Sequence, residues 1–337
     1  MAVKKSKRSQ SWQKQKIKDD KSRRSAKQHQ IADDLLNQSN LGEIESGIVV
    51  TQFGKHLLVE DQLGKVHECV SRRSVDKLVC GDRVQWRNSS QGSGVIVTRE
   101  QRSSELGRPN YQGKVRVIAA NIDYILVVVA PEPKLDEDLI NRYLLAGELT
   151  RIPSVLVVNK IDLLSENELN ALQQQLSVYQ QLDIDVLYVS SKQKSGIAQL
   201  KRYFTEQLAI VVGQSGVGKS SIIQTLLPET EIRVGAISTR SKLGKHTTTA
   251  AQLYRVNGNG GLVDSPGIRE FGLGHIHPEA IAMGFAEFKP LIGQCKFNDC
   301  RHQHEPGCAI KEAVANGSID NRRYDSYLRI LASLGKP

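Results

Sequence analysis

The chain has 337 residues, of which 24% are charged, and its formal net charge is +10. That length accommodates two or three domains of about 100 to 200 residues each. No run approaches the ~20 consecutive apolar residues of a membrane span, and the first 30 residues hold no apolar stretch of the secretory kind, so a soluble cytoplasmic protein with no membrane partner is expected. Five cysteines, an odd number without a secretory context, argue against disulfides.

Residues 1–30 carry eleven Lys and Arg, from Lys4 to Lys27, against Asp19 and Asp20. Such a block cannot bury enough apolar surface to offset its ordering entropy. Residues 1–40 are therefore expected to be a disordered basic arm, suited to a polyanion because each neutralised phosphate releases counterions. Residues 46–100 then read as short β segments (SGIVVTQFG, KHLLVED, KVHECVSRR, DRVQWR, GVIVTRE) parted by Gly, Asp, Asn and Ser. Short strands with such turns predict a small barrel or sandwich, and an OB-type barrel over 41–110 fits the pattern.

From about residue 115 the texture changes. IDYILVVVA, PSVLVVNK, DVLYVSS, LAIVVG and GGLVDSPG are apolar runs separated by amphipathic stretches such as LDEDLINRYLLAGEL. Continuous apolar runs alternating with helical patterns predict a parallel sheet covered on both faces, here over 111–274. In such sheets ligands bind beyond the carboxyl ends of the strands, and each polar motif below follows one of these runs. Residues 275–337 turn helical and polar and hold a Cys/His cluster, so the fold class expected is multidomain α/β.

GQSGVGKSS, comprising Gly213, Gln214, Ser215, Gly216, Val217, Gly218, Lys219, Ser220 and Ser221, fits the phosphate-binding pattern GxxxxGKS. The glycines let the backbone N–H groups converge on phosphates, Lys219 reaches the β and γ oxygens, and Ser220 offers a hydroxyl to magnesium. NKID, residues Asn159, Lys160, Ile161 and Asp162, selects the base: the Asp162 carboxylate accepts from the ring N–H and the exocyclic amine of guanine, whereas adenine offers no such pair. Asn159 is expected to tie this loop to the rest of the site, and the Lys160 stem to cover the base. Ser190, Ser191 and Lys192, at another strand end, supply a second wall through backbone N–H groups. In DSPG, Asp264 is placed to hold magnesium through water and the N–H of Gly267 to sense the γ-phosphate. Between them GKHTTT offers Thr248 as a further magnesium ligand.

In an ordinary guanine-nucleotide domain the phosphate loop comes first. Here NKID precedes it, a cyclic rotation in which the same strands are visited from a different start. Permutation is tolerated where new ends fall in exposed loops and old ends lie close together. Cys295, Cys300 and Cys308 with a histidine, His302 or its neighbour His304, form a set suited to one tetrahedral zinc with no open position.

This order of motifs, ending in CxxxxCxHxxxxxC, resembles the circularly permuted, small-subunit-dependent GTPase family of bacteria called RsgA or YjeQ, from about residue 45 onward. The resemblance implies an N-terminal OB-fold, a permuted GTPase domain and a C-terminal zinc domain with Cys295, Cys300, His302 and Cys308 as ligands. It further implies GTP hydrolysis to GDP, with magnesium, on the 30S subunit and its 16S rRNA late in maturation; a monomer is expected.

Ras-like enzymes orient water with a glutamine after the DxxG glycine; here that position is Ile268, which cannot do so. His246, before the threonines, is the candidate instead, and the resemblance points to it as well. A missing glutamine implies slow intrinsic turnover and a partner that completes the site. The rival from another class is a non-catalytic GTP-responsive RNA-binding module, and a weaker one is an ATP-dependent kinase or ATPase, disfavoured by NKID.

Overall fold

The structure, a computed structural model, describes residues 41–53, 56–89, 93–109, 115–227, 251–256, 260–264 and 278–334. The basic arm lies outside the described residues. The chain divides into two compact units, one ending at Arg102 and one beginning at Ser103.

In the first unit five strands close on themselves: β1 (Leu41–Phe53), β2 (His56–Asp61), β3 (Val66–Ser71), β4 (Arg83–Ser89) and β5 (Gly94–Arg99). The ring runs β1-β2-β3-β5-β4 and back to β1, antiparallel throughout except for the parallel β3–β5 pair. Strand β1 serves two neighbours because its 13 residues are long enough to bend, with a register shift between Val49 and Thr51. Val49, Val59, Trp86 and Ile96 fill the interior. Gly94 makes room for the indole: a Cβ there would stand 2.6 Å from Trp86 Cε3 and 2.8 Å from the Cys69 sulfur. The expected OB-type barrel is thus present and closed. Its base is held by the buried Asp82, whose carboxylate accepts from Arg102 Nε at 2.7 Å, Arg102 Nη2 at 2.9 Å and Val79 N–H at 2.7 Å.

The second unit opens with a two-stranded ribbon, β6 (Glu105–Pro109) and β7 (Val115–Ala120). Its main sheet is β8 (Tyr124–Val129), β9 (Ser154–Val158), β10 (Val186–Tyr188), β11 (Leu208–Val212), β12 (Gln252–Arg255) and β13 (Gly261–Asp264), in the order β10-β9-β8-β11-β13-β12. All pairs are parallel except β12–β13. The parallel strands are buried along nearly their whole length, which is why they read as unbroken apolar runs. From β8 the chain winds outward to β9 and β10, then returns to the other side of β8 as β11. That reversal makes the β8–β11 edge the switch point at which α/β sheets open a crevice.

Among the described residues, four α-helices accompany these strands. Helix α1 (Glu137–Thr150) starts where Asp136 caps the N–H groups of Asp138 and Leu139 and ends at Arg151 in a left-handed conformation. Helix α2 (Glu166–Gln180) starts with a Ser165/Glu168 capping box. Helix α3 (Ile197–Lys201) is short, and α4 (Lys219–Leu226) follows the phosphate loop. One apolar core, from Leu126 to Leu262, lies against the sheet.

The C-terminal segment adds α5 (Pro278–Met283), a 3-10 turn (Ala286–Leu291), α6 (Ala309–Ala315) and α7 (Asn321–Leu334). Its core of Ile281, Phe285, Phe288, Ile310, Tyr327 and Ile330 also takes in Leu145 and Ala146 of α1. Helix α1 therefore belongs to both layers, one face toward the sheet and one toward this segment.

Candidate functional site

The phosphate loop leaves β11 at Gly213 and enters α4 at Lys219. Two of its glycines are forced by neighbours as well as by backbone angles. Gly213 has φ +141, and a Cβ there would meet the Val128 carbonyl oxygen at 2.2 Å. Gly218 has φ +91, and its Cβ would lie 2.3 Å from Asn159 Nδ2. The Lys219 ammonium donates to the carbonyls of Gly213 at 2.8 Å and Gln214 at 2.6 Å, so it already lies across its own loop.

Asn159 binds three segments into one. Fully buried, it donates from Nδ2 to the Val217 carbonyl of the phosphate loop at 3.0 Å, accepts at Oδ1 from the Ser191 N–H at 3.1 Å, and gives its own N–H to Val129 of β8 at 2.8 Å. One side chain thus links NKID, the phosphate loop and SSK. The Ser191 N–H is engaged in that tie. Lys160 sits in a left-handed conformation, φ +63, and its Nζ donates to the Glu132 carbonyl at 2.8 Å. Ile161 begins a short 3-10 turn through Leu163. The Ser190 hydroxyl donates to Asp162 Oδ1 and accepts the Gln193 N–H, which holds the carboxylate in place. Asp264 ends β13 just past the Ile210–Val263 pair, beside the strand that feeds the phosphate loop. His246, Thr248 and Gly267 lie outside the described residues.

In the C-terminal segment Cys295, Cys300, His302 and Cys308 offer four ligand atoms that all lie within 4.8 Å of one another, a set that can hold a metal ion. Burial lowers the His302 pKa, favouring the neutral imidazole that a metal requires. Motif reading missed the groups that shape this loop. The Glu305 carboxylate accepts the N–H groups of Arg301 at 3.0 Å, Gln303 at 2.9 Å and His304 at 3.0 Å. Led by the Arg301 N–H, these bonds hold its pKa down to about 2. Tyr324 donates to the His302 carbonyl at 2.7 Å and Tyr327 to the Arg301 carbonyl at 2.8 Å. Carbonyl and N–H partners are the same for every residue type, so spacing carried no signal for them.

Together these elements define a circularly permuted P-loop nucleotide-binding fold, preceded by a five-stranded barrel and followed by a Cys/His cluster able to hold a metal ion. The family model for the RsgA GTPase matches residues 99–274. A Small ribosomal subunit biogenesis GTPase RsgA 1 of Vibrio vulnificus (strain YJ016) is 44% identical over 327 residues, 95% of this chain and 92% of that one. The corresponding RsgA of Actinobacillus pleuropneumoniae serotype 5b (strain L20) is 46% identical over 297 residues, 87% of this chain and 86% of its own. The crystal structure of YjeQ from Thermotoga maritima superposes with a TM-score of 0.72 at 32% identity, covering 88% of this chain and all of that one. YloQ, described as a circularly permuted GTPase, shares the fold with a TM-score of 0.70 at 24% identity over 88% of this chain and 97% of its own. The chain belongs to the RsgA GTPase family.

Proposed function

We propose that this protein is a cytoplasmic GTP hydrolase that binds the small (30S) ribosomal subunit through its 16S rRNA, assists late maturation of that subunit, and is stimulated by it. The observation that carries the nucleotide half is Asn159, which joins NKID, SSK and the phosphate loop in one hydrogen-bonded knot. The ribosomal half is supported by relatives named for small-subunit biogenesis that align with 95% of the chain. No helix among the described residues is long and apolar enough to cross a membrane.

In this reading residues 41–110 serve as the OB-fold domain, 111–274 as the GTPase domain and 275–337 as the zinc-binding domain, and the protein acts as a monomer. The Asp162 carboxylate, fixed by Ser190, accepts the two guanine N–H donors, and the Lys160 stem lies along the base. The loop N–H groups from Gly213 to Ser221 surround the phosphates, and Lys219 transfers its ammonium from the loop carbonyls to the β and γ oxygens. Ser220, Thr248 and Asp264 would hold magnesium, which when bound neutralises charge developing on the phosphates. Gly267 senses the γ-phosphate, and His246 orients the water that displaces GDP from it.

Zinc is the metal favoured for the Cys/His cluster. Thiolates at about 2.3 Å and an imidazole at about 2.0–2.1 Å in a tetrahedral shell stand about 3.8 Å apart sulfur to sulfur and about 3.5 Å sulfur to nitrogen. Cys295 and Cys308 are 3.9 Å apart, and His302 Nδ1 is 3.5 and 3.4 Å from them. Three thiolates with one imidazole leave no open position, so the ion's role is structural.

Gradient sedimentation with purified small subunits tests the ribosomal reading. Co-sedimentation is expected with a non-hydrolysable GTP analogue and weaker association with GDP, and added subunits should raise multiple-turnover hydrolysis, a gain that His246→Ala removes while docking persists. Turnover unaffected by subunits would favour a non-catalytic GTP-responsive RNA-binding module instead. The base site has its own test. Asp162→Asn loses one of two charge-assisted bonds, about 1.5–3 kcal/mol, so GTP affinity should fall roughly 10- to 150-fold. Xanthine nucleotides should bind better, because the amide donates where xanthine presents a carbonyl. Unchanged GTP affinity by calorimetry would refute the assignment.

A further inference from the structure

Helix α7 grips the first turn of α1. Arg329 donates from Nε to Asp138 Oδ2 at 2.6 Å and from Nη2 to Asp138 Oδ1 at 2.8 Å, a two-pronged contact. Nearer the start of α7, Arg322 donates from Nη1 to Glu137 Oε1 and to the Gln175 carbonyl of α2, both at 3.2 Å. Asp136, Glu137 and Asp138 put three carboxylates into one turn, and like charges so close repel. The helix N-terminus offsets part of that repulsion, and the two guanidiniums of α7 offset more.

That turn is also the far end of the segment that backs the nucleotide site. Residues 131–135 run from β8 to α1, alternating half-buried and exposed, so their position is set chiefly by what holds their two ends. On the way, Pro133 lies against the phosphate loop, since a Cβ on Gly216 would stand 3.6 Å from Pro133 Cδ. The Glu132 carbonyl accepts Lys160 Nζ of the base loop. Gln214 of the phosphate loop and Arg322 and Arg329 of α7 line the same open groove of about 580 Å³. The phosphate loop and the base loop thus touch five residues of irregular chain whose far end adjoins the turn that α7 holds.

We propose that Arg322 and Arg329 are positioning residues for the nucleotide site: by clamping the first turn of α1 they hold residues 131–135 against the phosphate loop and Lys160, and drawing α7 away speeds nucleotide release. The proposal rests on the nucleotide-site reading above. It goes beyond that reading in giving the C-terminal segment control over how long nucleotide stays bound. A partner bound to that segment can then set nucleotide exchange without touching the nucleotide.

The test is a double-mutant cycle on the full chain, with stopped-flow dissociation of a fluorescently labelled GDP. Arg329→Ala and Asp138→Asn should each raise the release rate about two- to fivefold, the span expected for one partly exposed ion pair. The double variant should release no faster than the faster single, because both remove the same contact. Single-turnover hydrolysis of bound GTP should stay within about twofold of the parent, since neither residue belongs to the motifs assigned to the phosphates, and Arg329→Lys should restore part of the slow release. Release at the parental rate in Arg329→Ala overturns the proposal, as does additivity of the two singles. Should Arg329→Ala prove poorly folded by circular dichroism, Arg322→Gln with Glu137→Gln gives the same cycle on the milder pair. Lys219→Ala serves as the control for the underlying site: if it binds GDP like the parent, the phosphate-loop assignment fails, whereas loss of binding there with unchanged release in the α7 variants condemns the clamp alone.

Discussion

Arg323→Ala should destabilise the second unit by about 3–5 kcal/mol, the range for removing one partner of a buried ion pair. Arg323 is 4% exposed and binds Glu287 with two parallel bonds, Nε to Oε1 at 2.7 Å and Nη2 to Oε2 at 3.0 Å. Its remaining Nη1 donates to Asn141 Oδ1 of α1 at 2.6 Å, and the same oxygen accepts the Tyr179 hydroxyl of α2 at 3.1 Å. The guanidinium also lies 4.7 Å over the Phe285 ring. Truncation therefore strands a nearly buried Glu287 carboxylate and removes the partner that the 3-10 turn and α1 share. Arg329, by contrast, has a side chain 55% exposed to water, and exposed pairs contribute only about 0.2–1 kcal/mol. Urea denaturation should separate the two variants clearly. An Arg323→Ala midpoint indistinguishable from the parent would show that water reaches Glu287 in solution.

Loss of the metal should have the widest effect on the C-terminal segment. Structural zinc contributes about 10–16 kcal/mol of apparent binding energy in small domains, and that energy supports folding only of the segment it closes. Cys300→Ser is expected to release the ion and loosen the core around Phe285, Phe288 and Tyr327, to which Cys295 and Cys300 are packed. GDP should still bind, because among the described residues the core against the sheet takes its members from Leu126 to Leu262. The clamp on α1 predicts faster GDP release in this variant too. Metal content after gel filtration in metal-free buffer, limited proteolysis and GDP binding give the three readouts. A parent protein without stoichiometric zinc would end the zinc assignment, and a variant that no longer binds GDP would show that the two cores fold as one.

Much of the site was legible because its signals are short. The phosphate loop lies within nine residues, and its glycines mark backbone angles that only glycine adopts readily. NKID and DSPG each end an apolar run, so burial of a parallel strand on both faces announces where a polar residue reaches the sheet edge. The barrel could be inferred from the rhythm of short strands, but not its closure. Whether β3 pairs with β5 and β1 with β4 is decided by contacts between strands far apart in the chain.

By itself, then, the sequence determined the residue types of the site, the order of its motifs and the permuted start, since these depend on local backbone geometry and on the chemistry each side chain carries. Tertiary structure decided which groups hold those motifs together. Asn159 reaches Val217 across 58 residues of sequence and Arg323 reaches Asn141 across 182. No periodicity marks either pair, because a buried polar side chain takes whichever partner folding brings within hydrogen-bond distance, and leaving it unpaired there costs more than any local preference. The clamp of α7 on α1 belongs with them: nothing in the spacing of Arg322 and Arg329 points to Glu137 and Asp138, which only the fold sets against them.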